Sequence, residues 1–384
     1  MAARRPPAWS VAGLLPVLAL VETAGCRGPT ADQREFDTSA GPVRLTTVAS
    51  GLAHPWSLAF LPGGAMLVTE RPGRLRPVSA EGQVGPPIAG VPEVFANGQG
   101  GLLDVVLDPE FAENRLIYLS FAEPGEGGAG TAVARARLGE GRLEDVAVIF
   151  RQQPKVEGDA HFGSRLAFAP DGLLFITLGE RNQRDQAQSL GDHLGTVVRI
   201  GADGSIPADN PFAGRAGARP EIWSYGHRNV QGAAIHPETG RLWTAEHGPR
   251  GGDEVNTPEP GRNYGWPVIG YGRHYNMTRI GEGNSKAGME QPVLYWDPSI
   301  ATSGMTFYTG AAMPAWRGSL FVGGLAARQV RRVELKGTQV VGEEQLFNGF
   351  GRRIRDVRQG PDGKLYVLTD EPNGQLVRVD PATR

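Results

Sequence analysis

Residues 166–176 read LAFAPDGLLFI: an apolar strand, a turn built on Pro-Asp-Gly, and a second apolar strand. Proline fixes φ and glycine reaches positive φ, so this tripeptide is typical of a tight turn between two strands. The same phrase recurs along the chain, and its six copies begin near residues 58, 105, 166, 233, 305 and 357. Their spacing of roughly 45–75 residues matches one propeller blade with its loops.

The six copies predict an all-β fold, a six-bladed β-propeller, because radial repetition leaves only short and protected sheet edges. A β-sandwich also contains many strands, but it does not explain six copies of one hairpin phrase. We expect residues 43–48 to complete the last blade and close the ring. Helical periodicity is scarce, and residues 184–199 are expected to hold one short helical turn.

The composition supports this architecture and excludes several function classes. The 384 residues include 55 Gly and 30 Pro, which suits many strands joined by tight turns. The formal net charge is -2 and the basic residues are spread along the chain, so no global charge recruits nucleic acid. The sequence contains no Walker loop, no dinucleotide fingerprint and no Gly-x-Ser-x-Gly elbow, and one cysteine cannot form a zinc-cysteine cluster.

The N-terminus has the pattern of an export signal. Arg4 and Arg5 precede an apolar run over residues 9–21 that is too short to span a membrane comfortably. Small residues then precede Cys26, as at a bacterial lipoprotein cleavage site, which makes Cys26 a candidate lipid anchor; a plain signal peptide is the alternative. We therefore expect an exported protein, either periplasmic or a membrane-anchored lipoprotein.

These patterns divide the chain into three segments. Residues 1–25 are predicted to be a signal peptide, of either the lipoprotein or the plain type. Residues 26–41 are polar and bear Pro and Gly, which predicts a flexible tether. Residues 42–384 are predicted to form the propeller domain.

Two candidate catalytic residues lie just before inner strands of the predicted blades. His161 stands between glycines ahead of the third hairpin, and an imidazole with a pKa near 6.5 is suited to take a proton from a substrate hydroxyl. Arg228 lies in the dense polar run over residues 224–232 and is suited to orient or stabilise a substrate oxygen. A surface histidine and a solvated turn are the respective alternatives.

Two further patterns point to ligand binding. Carboxylates and free carbonyls on the Gly-rich stretch 245–256, continued by residues 263–267, are hard oxygen donors that suit Ca²⁺, although an ordinary charged turn has the same composition. Strand alternation places Arg353 and Arg355 on one face, where two guanidinium groups suit a polycarboxylate or a phosphate. A solvated arginine edge is the alternative there.

Several of these stretches together resemble a known family. The motifs are GQGGLLD over residues 98–104, GHRNVQG over 226–232, NYGWP over 263–267 and RIRDV over 353–357, in that order. They resemble the soluble glucose/sorbosone dehydrogenases, and within them the bacterial aldose sugar dehydrogenases. The resemblance covers roughly residues 45–380 and rests on the order of the motifs more than on any one of them.

The resemblance implies a six-bladed propeller that uses pyrroloquinoline quinone (PQQ) and Ca²⁺ to oxidise aldose sugars to lactones. His161 would be the general base at the anomeric hydroxyl, and Arg228 would hold substrate and cofactor oxygens. The cofactor-binding positions implied are Gln99, Asn229, Arg353 and Arg355. The Ca²⁺ ligands implied are the carbonyls of Gly248 and Pro249 for one ion, and Glu254 with the carbonyl of Tyr264 for a second, structural ion.

The sequence departs from the family pattern in two places. The glucose enzymes carry a cofactor-binding lysine on the fifth blade, whereas residues 323–328 contain none, with Arg328 as the candidate substitute. Ala160 stands where those enzymes have an aspartate before the histidine, and Asp159 is one place off. Residues 296–302 resemble a segment that lines the cofactor.

Two alternatives to a sugar dehydrogenase remain open from the sequence. A Ca²⁺-dependent propeller lactonase would also use a histidine and a channel metal, but it leaves the paired arginines unexplained. A non-catalytic recognition propeller is the other, since hedgehog-interacting protein shows that the same family serves recognition. The sugar, the electron acceptor and the oligomeric state are not specified by the sequence.

Overall fold

Six antiparallel sheets form residues 33–382, the part of the chain that the computed structural model describes. Each copy of the hairpin phrase supplies the first two strands of one sheet. The first strands of the six sheets contact one another in a closed circle: each contacts the first strand of the next sheet along the chain, and the sixth contacts the first. The predicted six-bladed β-propeller is therefore confirmed.

The strands have the following bounds in the described residues. Blade 1 contains β3 Pro55–Phe60, β4 Met66–Glu70 and β5 Arg74–Val78. Blade 2 contains β6 Leu102–Leu107, β7 Leu116–Gly125, β8 Gly128–Leu138 and β9 Leu143–Arg151. Blade 3 contains β10 Gly163–Phe168, β11 Leu174–Leu178, β12 Thr196–Ile200 and β13 Ile222–Tyr225.

The remaining blades follow the same plan. Blade 4 contains β14 Val230–Ile235, β15 Leu242–Glu246, β16 Asp253–Asn256 and β17 Leu294–Trp296. Blade 5 contains β18 Thr302–Phe307, β19 Leu320–Gly324, β20 Gln329–Lys336 and β21 Gln339–Leu346. Blade 6 contains β22 Ile354–Gln359, β23 Leu365–Thr369 and β24 Gly374–Pro381, completed by β2 Val43–Leu52 and β1 Gln33–Phe36.

Helices are short in this part of the chain. The α-helix α1 spans Phe111–Asn114, and 3₁₀ turns span Arg184–Gln188 and Pro314–Trp316. The first of these turns matches the short helical turn expected within residues 184–199. None of the helices in residues 33–382 has the length and apolar character that a membrane-spanning segment needs.

The N-terminal strands close the ring. β2 pairs with β24, placing Val43 opposite Pro381, as expected for residues 43–48. Within residues 26–41, the predicted flexible tether, Gln33–Phe36 form β1 instead, which pairs with β2 at the outer edge of blade 6; residues 26–32 lie outside the described residues. Phe36 anchors β1 by an edge-to-face contact with Phe347, at 5.8 Å between ring centroids. The predicted signal peptide and Cys26 lie outside the described residues.

Apolar clusters fill the spaces between neighbouring blades. Each of the six blade interfaces has its own buried cluster. Between blades 4 and 5, for example, Trp243 is fully buried and meets Phe307 edge to face at 5.5 Å. Because burial of a large apolar side chain contributes about 1.5–3 kcal/mol, these interfaces hold the blades in a rigid ring.

A buried ionic network ties the inner strands together near the axis. Arg165 on β10 pairs with Asp104 on β6 at 3.3 Å and with Asp356 on β22 at 3.0 Å. Arg358 joins the same two carboxylates at 3.0 and 2.9 Å, and Ser57 on β3 donates to Asp104 at 2.5 Å. Four blades are therefore linked beneath the end of the propeller where their inner strands begin.

Candidate active site

The predicted site residues converge because they precede or begin inner strands. His161 lies two residues before β10, Arg228 two residues before β14, and Arg355 is the second residue of β22. Gln99 lies three residues before β6. The inner strands surround one axis with the same direction, so these residues meet at one end of the propeller.

His161 is held as a neutral base. Its Nδ1 lies 2.6 Å from Oε2 of Glu180, and its backbone N–H donates to Oε1 of Gln99 at 2.9 Å. A carboxylate only accepts, so Nδ1 carries the proton and Nε2 is left with a free lone pair. Burial lowers the pKa of His161 below its usual value; the hydrogen bond with Glu180 acts in the opposite direction, and the charge of Arg228 lowers the pKa further.

The backbone around His161 is fixed by close packing. His161 has a positive φ of 57°, and Gly179 lies so near that a Cβ there would be 2.1 Å from the His161 carbonyl oxygen. Only glycine fits such an approach. Asn229, predicted to contact the cofactor, accepts the Gly163 N–H at 3.1 Å with its amide oxygen. In the structure Asn229 thus holds the turn that carries His161.

Arg228 is buried and oriented by blade 4. Its Nη1 donates to the carbonyls of His247 at 3.1 Å and Gly248 at 3.0 Å. Its guanidinium carbon lies 5.3 Å from the ring centroid of Trp266, and its backbone N–H donates to Glu246 at 2.7 Å. The Nε atom is buried without a hydrogen-bond partner among the described residues, so a donor is left for a bound ligand.

Arg353 and Arg355 line a cation-rich cavity of about 510 Å³ together with Arg71 and Asp370. Both arginines reach Oδ2 of Asp370, at 3.4 and 2.7 Å, which confirms that they share one face. Burial alone would raise the pKa of Asp370, but Arg355 and then Arg71 and Arg353 outweigh it and hold that pKa well below its usual range. Three guanidiniums face one carboxylate, so the cavity suits a polyanion.

Arg328, the candidate substitute for the missing lysine, lies outside the cation-rich cavity. Its exposed side chain donates to the Gly351 carbonyl at 3.3 Å, and it is not among the residues that line the cation-rich cavity. Arg71 of blade 1 supplies the third cation instead, with its Nη1 2.5 Å from the Gly98 carbonyl. Within residues 296–302, Ala301 lines this cavity, as expected from the resemblance.

The four predicted metal ligands line one small cavity of about 20 Å³, room for a single water or ion. The lining residues relevant to a metal are Gly248, Pro249, Glu254, Tyr264 and Glu246. Burial raises the pKa of Glu254 to about 8, with a further contribution from the neighbouring charge of Glu246. Two close carboxylates in so small a space favour a divalent cation, and their oxygens with backbone carbonyls suit Ca²⁺.

The two predicted Ca²⁺ sites are less separate than the sequence suggested. Gly248 and Pro249 lie in the same cavity wall as Glu254 and Tyr264, and the Gly248 carbonyl already accepts from Arg228. The second lone pair of the Gly248 carbonyl oxygen remains available to an ion. Residues 33–382 contain no group of three or more His, Cys, Asp or Glu side chains placed to hold a metal, so any ion here depends on carbonyls.

Sequence reasoning missed the acidic partners of the site residues. These acids are Glu70, Glu180, Glu246 and Asp370. Each lies at or just after the end of the second strand of its blade, and each accepts a hydrogen bond from a residue at or just before the start of the inner strand. The signal was present, because an acidic residue lies one to three residues after a buried threonine in four of the six repeats. His247 was also missed; its Nε2 is buried without a partner in the described chain.

A larger cavity of about 640 Å³ lies above Arg228 and Glu180. Trp266 and Pro249 form part of its wall, and Tyr275, whose exposed fraction is 72%, stands at its rim. The volume lies within the roughly 300–1,000 Å³ typical of small-molecule sites. Arg228 and Glu180, the partner of His161, therefore face one open cavity at this end of the propeller.

Comparisons with known proteins agree with this geometry. The sequence profile described as Glucose / Sorbosone dehydrogenase matches residues 52–378. The aldose sugar dehydrogenase YliI of Escherichia coli (strain K12) is 50% identical over 345 residues, which covers 88% of this chain and 93% of that protein. The crystal structure of the soluble aldose sugar dehydrogenase from Escherichia coli in its apo-form superimposes with a TM-score of 0.87 at 49% identity, covering 88% of this chain and 100% of the other.

A second similar structure is the PQQ-bound form of the aldose sugar dehydrogenase from Streptomyces coelicolor. Its TM-score is 0.74 at 29% identity, with 92% of this chain and 99% of that chain covered. The match therefore extends over nearly all of both chains.

Proposed function

Because the chain belongs to the glucose/sorbosone dehydrogenase family, we propose that it is a PQQ- and Ca²⁺-dependent aldose sugar dehydrogenase. The observation that carries the proposal is the His161–Glu180 pair, 2.6 Å apart, beside Arg228 and next to a cavity with three guanidiniums. A neutral imidazole oriented by a carboxylate is a general base, as in other hydrolytic and redox sites. The similar proteins are named for the same activity.

The residues present fit the cofactor. PQQ is a tricarboxylate, and the cation-rich cavity offers Arg71, Arg353 and Arg355 against the single carboxylate of Asp370. Gln99 lines the same cavity. When bound, PQQ supplies the two-electron acceptor for a hydride, and Ca²⁺ held by the carbonyls of Gly248 and Pro249 would supply Lewis-acid polarisation.

His161, Glu180 and Arg228 would then each have a separate role in the oxidation of the sugar. Nε2 of His161 takes the proton of the anomeric hydroxyl, while Glu180 keeps the imidazole in the required tautomer. Arg228 orients the oxygen that becomes a carbonyl. The anomeric carbon loses a hydride and its hydroxyl loses a proton, so the cyclic aldose becomes a lactone.

A second Ca²⁺ would have a structural role in the small cavity, while the first would lie on the other side of Gly248 and Pro249, which also line an adjoining cavity. Glu254 and the carbonyl of Tyr264 face the small cavity shared with Glu246. A cation there would neutralise two carboxylates that otherwise repel each other. Such an ion would brace the loop that carries Gly248 and Pro249 against blade 4.

Reconstitution tests the proposal. Purified protein should reduce an artificial dye with aldoses only when both PQQ and Ca²⁺ are added. His161→Ala should lower kcat by about 10²–10⁴-fold, the range typical of a lost general base, while PQQ still binds. Wild-type turnover by His161→Ala would contradict the assigned mechanism.

The same preparations separate the alternatives. Hydrolysis of lactones without PQQ would favour the propeller lactonase, for which the arginines around Asp370 have no use. Binding of PQQ without bleaching of its absorbance by any aldose would favour a recognition role. The pairing of His161 with Glu180 supports catalysis over recognition, because recognition does not require a base held neutral and buried.

We further propose that the protein is exported, either to the periplasm or as a lipoprotein attached through Cys26. The support is the sequence pattern of residues 1–25 alone. Fractionation of cells that produce the native chain and Cys26→Ser tests it. Loss of membrane association in the variant supports the anchor, and equal distribution supports a plain signal peptide.

A further inference from the structure

The rim of the large cavity over Arg228 has an unbalanced positive charge. Arg184, Arg228 and Arg279 line this cavity, and Glu180 is the one carboxylate among its lining residues in the described chain. Glu180 is engaged by His161. Within residues 33–382 the exposed side chains of Arg184 and Arg279 form neither an ion pair nor a hydrogen bond, so both guanidiniums are free to bind a ligand.

The positive charge continues into the adjoining cavity. Arg250 and Arg273 line it together with one acid, Asp297. The two arginines pair through their backbones, with N–H to carbonyl distances of 3.0 and 2.9 Å, which leaves their side chains exposed at the same rim. The charged residues that line these two cavities are therefore mostly positive, although the whole chain has a formal net charge of -2.

His274 lies in the positive electrostatic field of the same arginines. It lines the cavity over Arg228, beside Trp266, at 6.2 Å between ring centroids. Burial lowers the pKa of His274, and the charges of Arg184 and Arg228 lower it further. Burial disfavours a charge of either sign, but the charges of Arg184 and Arg228 also attract an anion into this cavity.

The cofactor does not account for these arginines. The cation-rich cavity that suits the PQQ carboxylates has its own set, Arg71, Arg353 and Arg355. The residues that line it and those that line the cavity over Arg228 do not overlap. With PQQ bound, Arg184 and Arg279 would still lack a negative partner.

The segment that carries Arg279 is rigid enough to present it. The N–H of His274 donates to the Thr278 carbonyl at 2.9 Å, and the N–H of Met277 donates to the His274 carbonyl at 2.8 Å. Asn276 accepts from the Thr278 hydroxyl at 2.6 Å. The turn ends at Arg279, and the exposed ring of Tyr275 provides an apolar wall for a sugar ring beside it.

Resting on the proposed function, we propose that the preferred substrates are anionic aldoses. The anomeric hydroxyl would lie at His161, and a carboxylate or phosphate at the far end of the sugar would be held by Arg279 and Arg184. The chemistry recognised is an anion on a reducing sugar, such as a uronic acid or a sugar phosphate. Guanidinium forks match both kinds of anion.

Three sugars with one ring configuration test this: glucose, glucuronate and glucose 6-phosphate. With PQQ and Ca²⁺ present, kcat/KM for glucuronate or glucose 6-phosphate should exceed that for glucose by about tenfold at low ionic strength. The ratio should fall as salt shortens the screening length. A carboxylate preference and a phosphate preference are separated by comparing the two anions.

Variants locate the effect. Arg279→Gln and Arg184→Gln should each lower the anion-to-neutral ratio by about three- to tenfold. Arg317→Gln is the matched control, because Arg317 is also exposed but follows the 3₁₀ turn Pro314–Trp316 at the opposite end of the propeller. Its ratio should equal that of the native chain.

The outcomes are distinct from those of the proposed function. Oxidation of glucose with an anion-to-neutral ratio of one or less overturns this inference and leaves the dehydrogenase intact. So does a weaker PQQ affinity in Arg279→Gln with an unchanged ratio, since the rim would then serve cofactor capture. If no aldose is oxidised, calorimetric binding of glucuronate and glucose to the PQQ- and Ca²⁺-loaded protein still measures the preference, and equal affinities overturn it.

Discussion

Replacing Glu180 by glutamine isolates the contribution of the carboxylate to the base. The side chain keeps its size, and Glu180 lies against His161 Nδ1 at 2.6 Å, so packing is little disturbed. What is removed is the negative charge that fixes the tautomer and stabilises the imidazolium formed during proton transfer. A glutamine amide can also donate to Nδ1, which would place the ring proton on Nε2, where the base must accept.

The magnitude follows from the strength of that contact. A hydrogen bond to a charged group contributes about 1.5–3 kcal/mol, which corresponds to roughly 10- to 150-fold in rate at about 1.4 kcal/mol per decade. A wholly wrong tautomer has a larger effect, of about 10⁴-fold in the serine protease triad. We therefore expect Glu180→Gln to lower kcat/KM for an aldose by between about 10- and 10⁴-fold.

The pH profile provides a readout that a merely structural role would not give. Neutral His161 is the active form, so the rate falls as pH drops through its pKa. The hydrogen bond that His161 donates to Glu180 raises that pKa, against the larger effect of burial. Its loss should move the acid limb of kcat/KM to lower pH while the plateau also falls.

The assay is steady-state dye reduction across pH with PQQ and Ca²⁺ saturating, accompanied by a PQQ absorbance titration. Glu221→Gln is the matched control, because Glu221 pairs with His193 at 3.4 Å in the same blade, and neither residue lines the cavities of the site. The control should retain native kcat/KM. Native activity and an unshifted acid limb in Glu180→Gln would refute the role given to the carboxylate.

Three further predictions concern the cofactor cavity, the axial network and the small cavity. Arg355→Met should raise the PQQ dissociation constant by roughly 10- to 100-fold in an absorbance titration, whereas Arg328→Met should leave it unchanged because that side chain is exposed at Gly351. Asp104→Ala should lower the free energy of unfolding in urea by about 3–5 kcal/mol, because it leaves Arg165 buried with one fewer partner. Without Ca²⁺ the folded state should lose stability as pH rises from 4.5 to about 8, since burial raises the pKa of Glu254 and the folded chain then binds more protons than the unfolded chain. Thermal melts with and without Ca²⁺ check this, and a melting temperature that is flat across this pH range in the metal-free protein would contradict it.

The fold could be predicted because the repeat can be recognised from the sequences of the turns. Each Pro-Gly turn marks the connection between the first two strands of a blade, and these strands are apolar on both faces because they lie between neighbouring blades. The outer strands gave a weaker signal. Gln33–Phe36 reads QREF and is largely exposed, so neither alternation nor apolar content distinguishes it from a linker; only its pairing with β2 and the contact of Phe36 make it a strand.

The basic residues of the site could be predicted from the sequence, but their acidic partners could not, because strand register is what brings the two together. In blade 3, Gly163 pairs with Leu178, so His161 and Glu180 are two residues beyond the same pair on opposite strands. In blade 6, Ile354 pairs with Thr369, which makes Arg353 the neighbour of Asp370. The basic residue of each pair lies in a recognisable motif, whereas the acid is a single residue after an apolar strand. Only the register, which the sequence does not state, joins the two.

Arg165 connects the propeller framework to the chemistry. From β10 its Nε donates to the Gln231 carbonyl on β14 at 2.8 Å, and its Nη2 donates to the Arg355 carbonyl on β22 at 3.3 Å. Arg165 itself lies four residues after His161 on the same blade. Its buried side chain therefore links the strand that follows His161 to the strand that follows Arg228 and to the strand that contains Arg355. Ion pairs with Asp104 and Asp356 keep it charged against a burial that lowers its pKa. Buried charge of this kind adds little net stability, but it admits only one relative placement of the three strands, which is what a site assembled from separate blades requires.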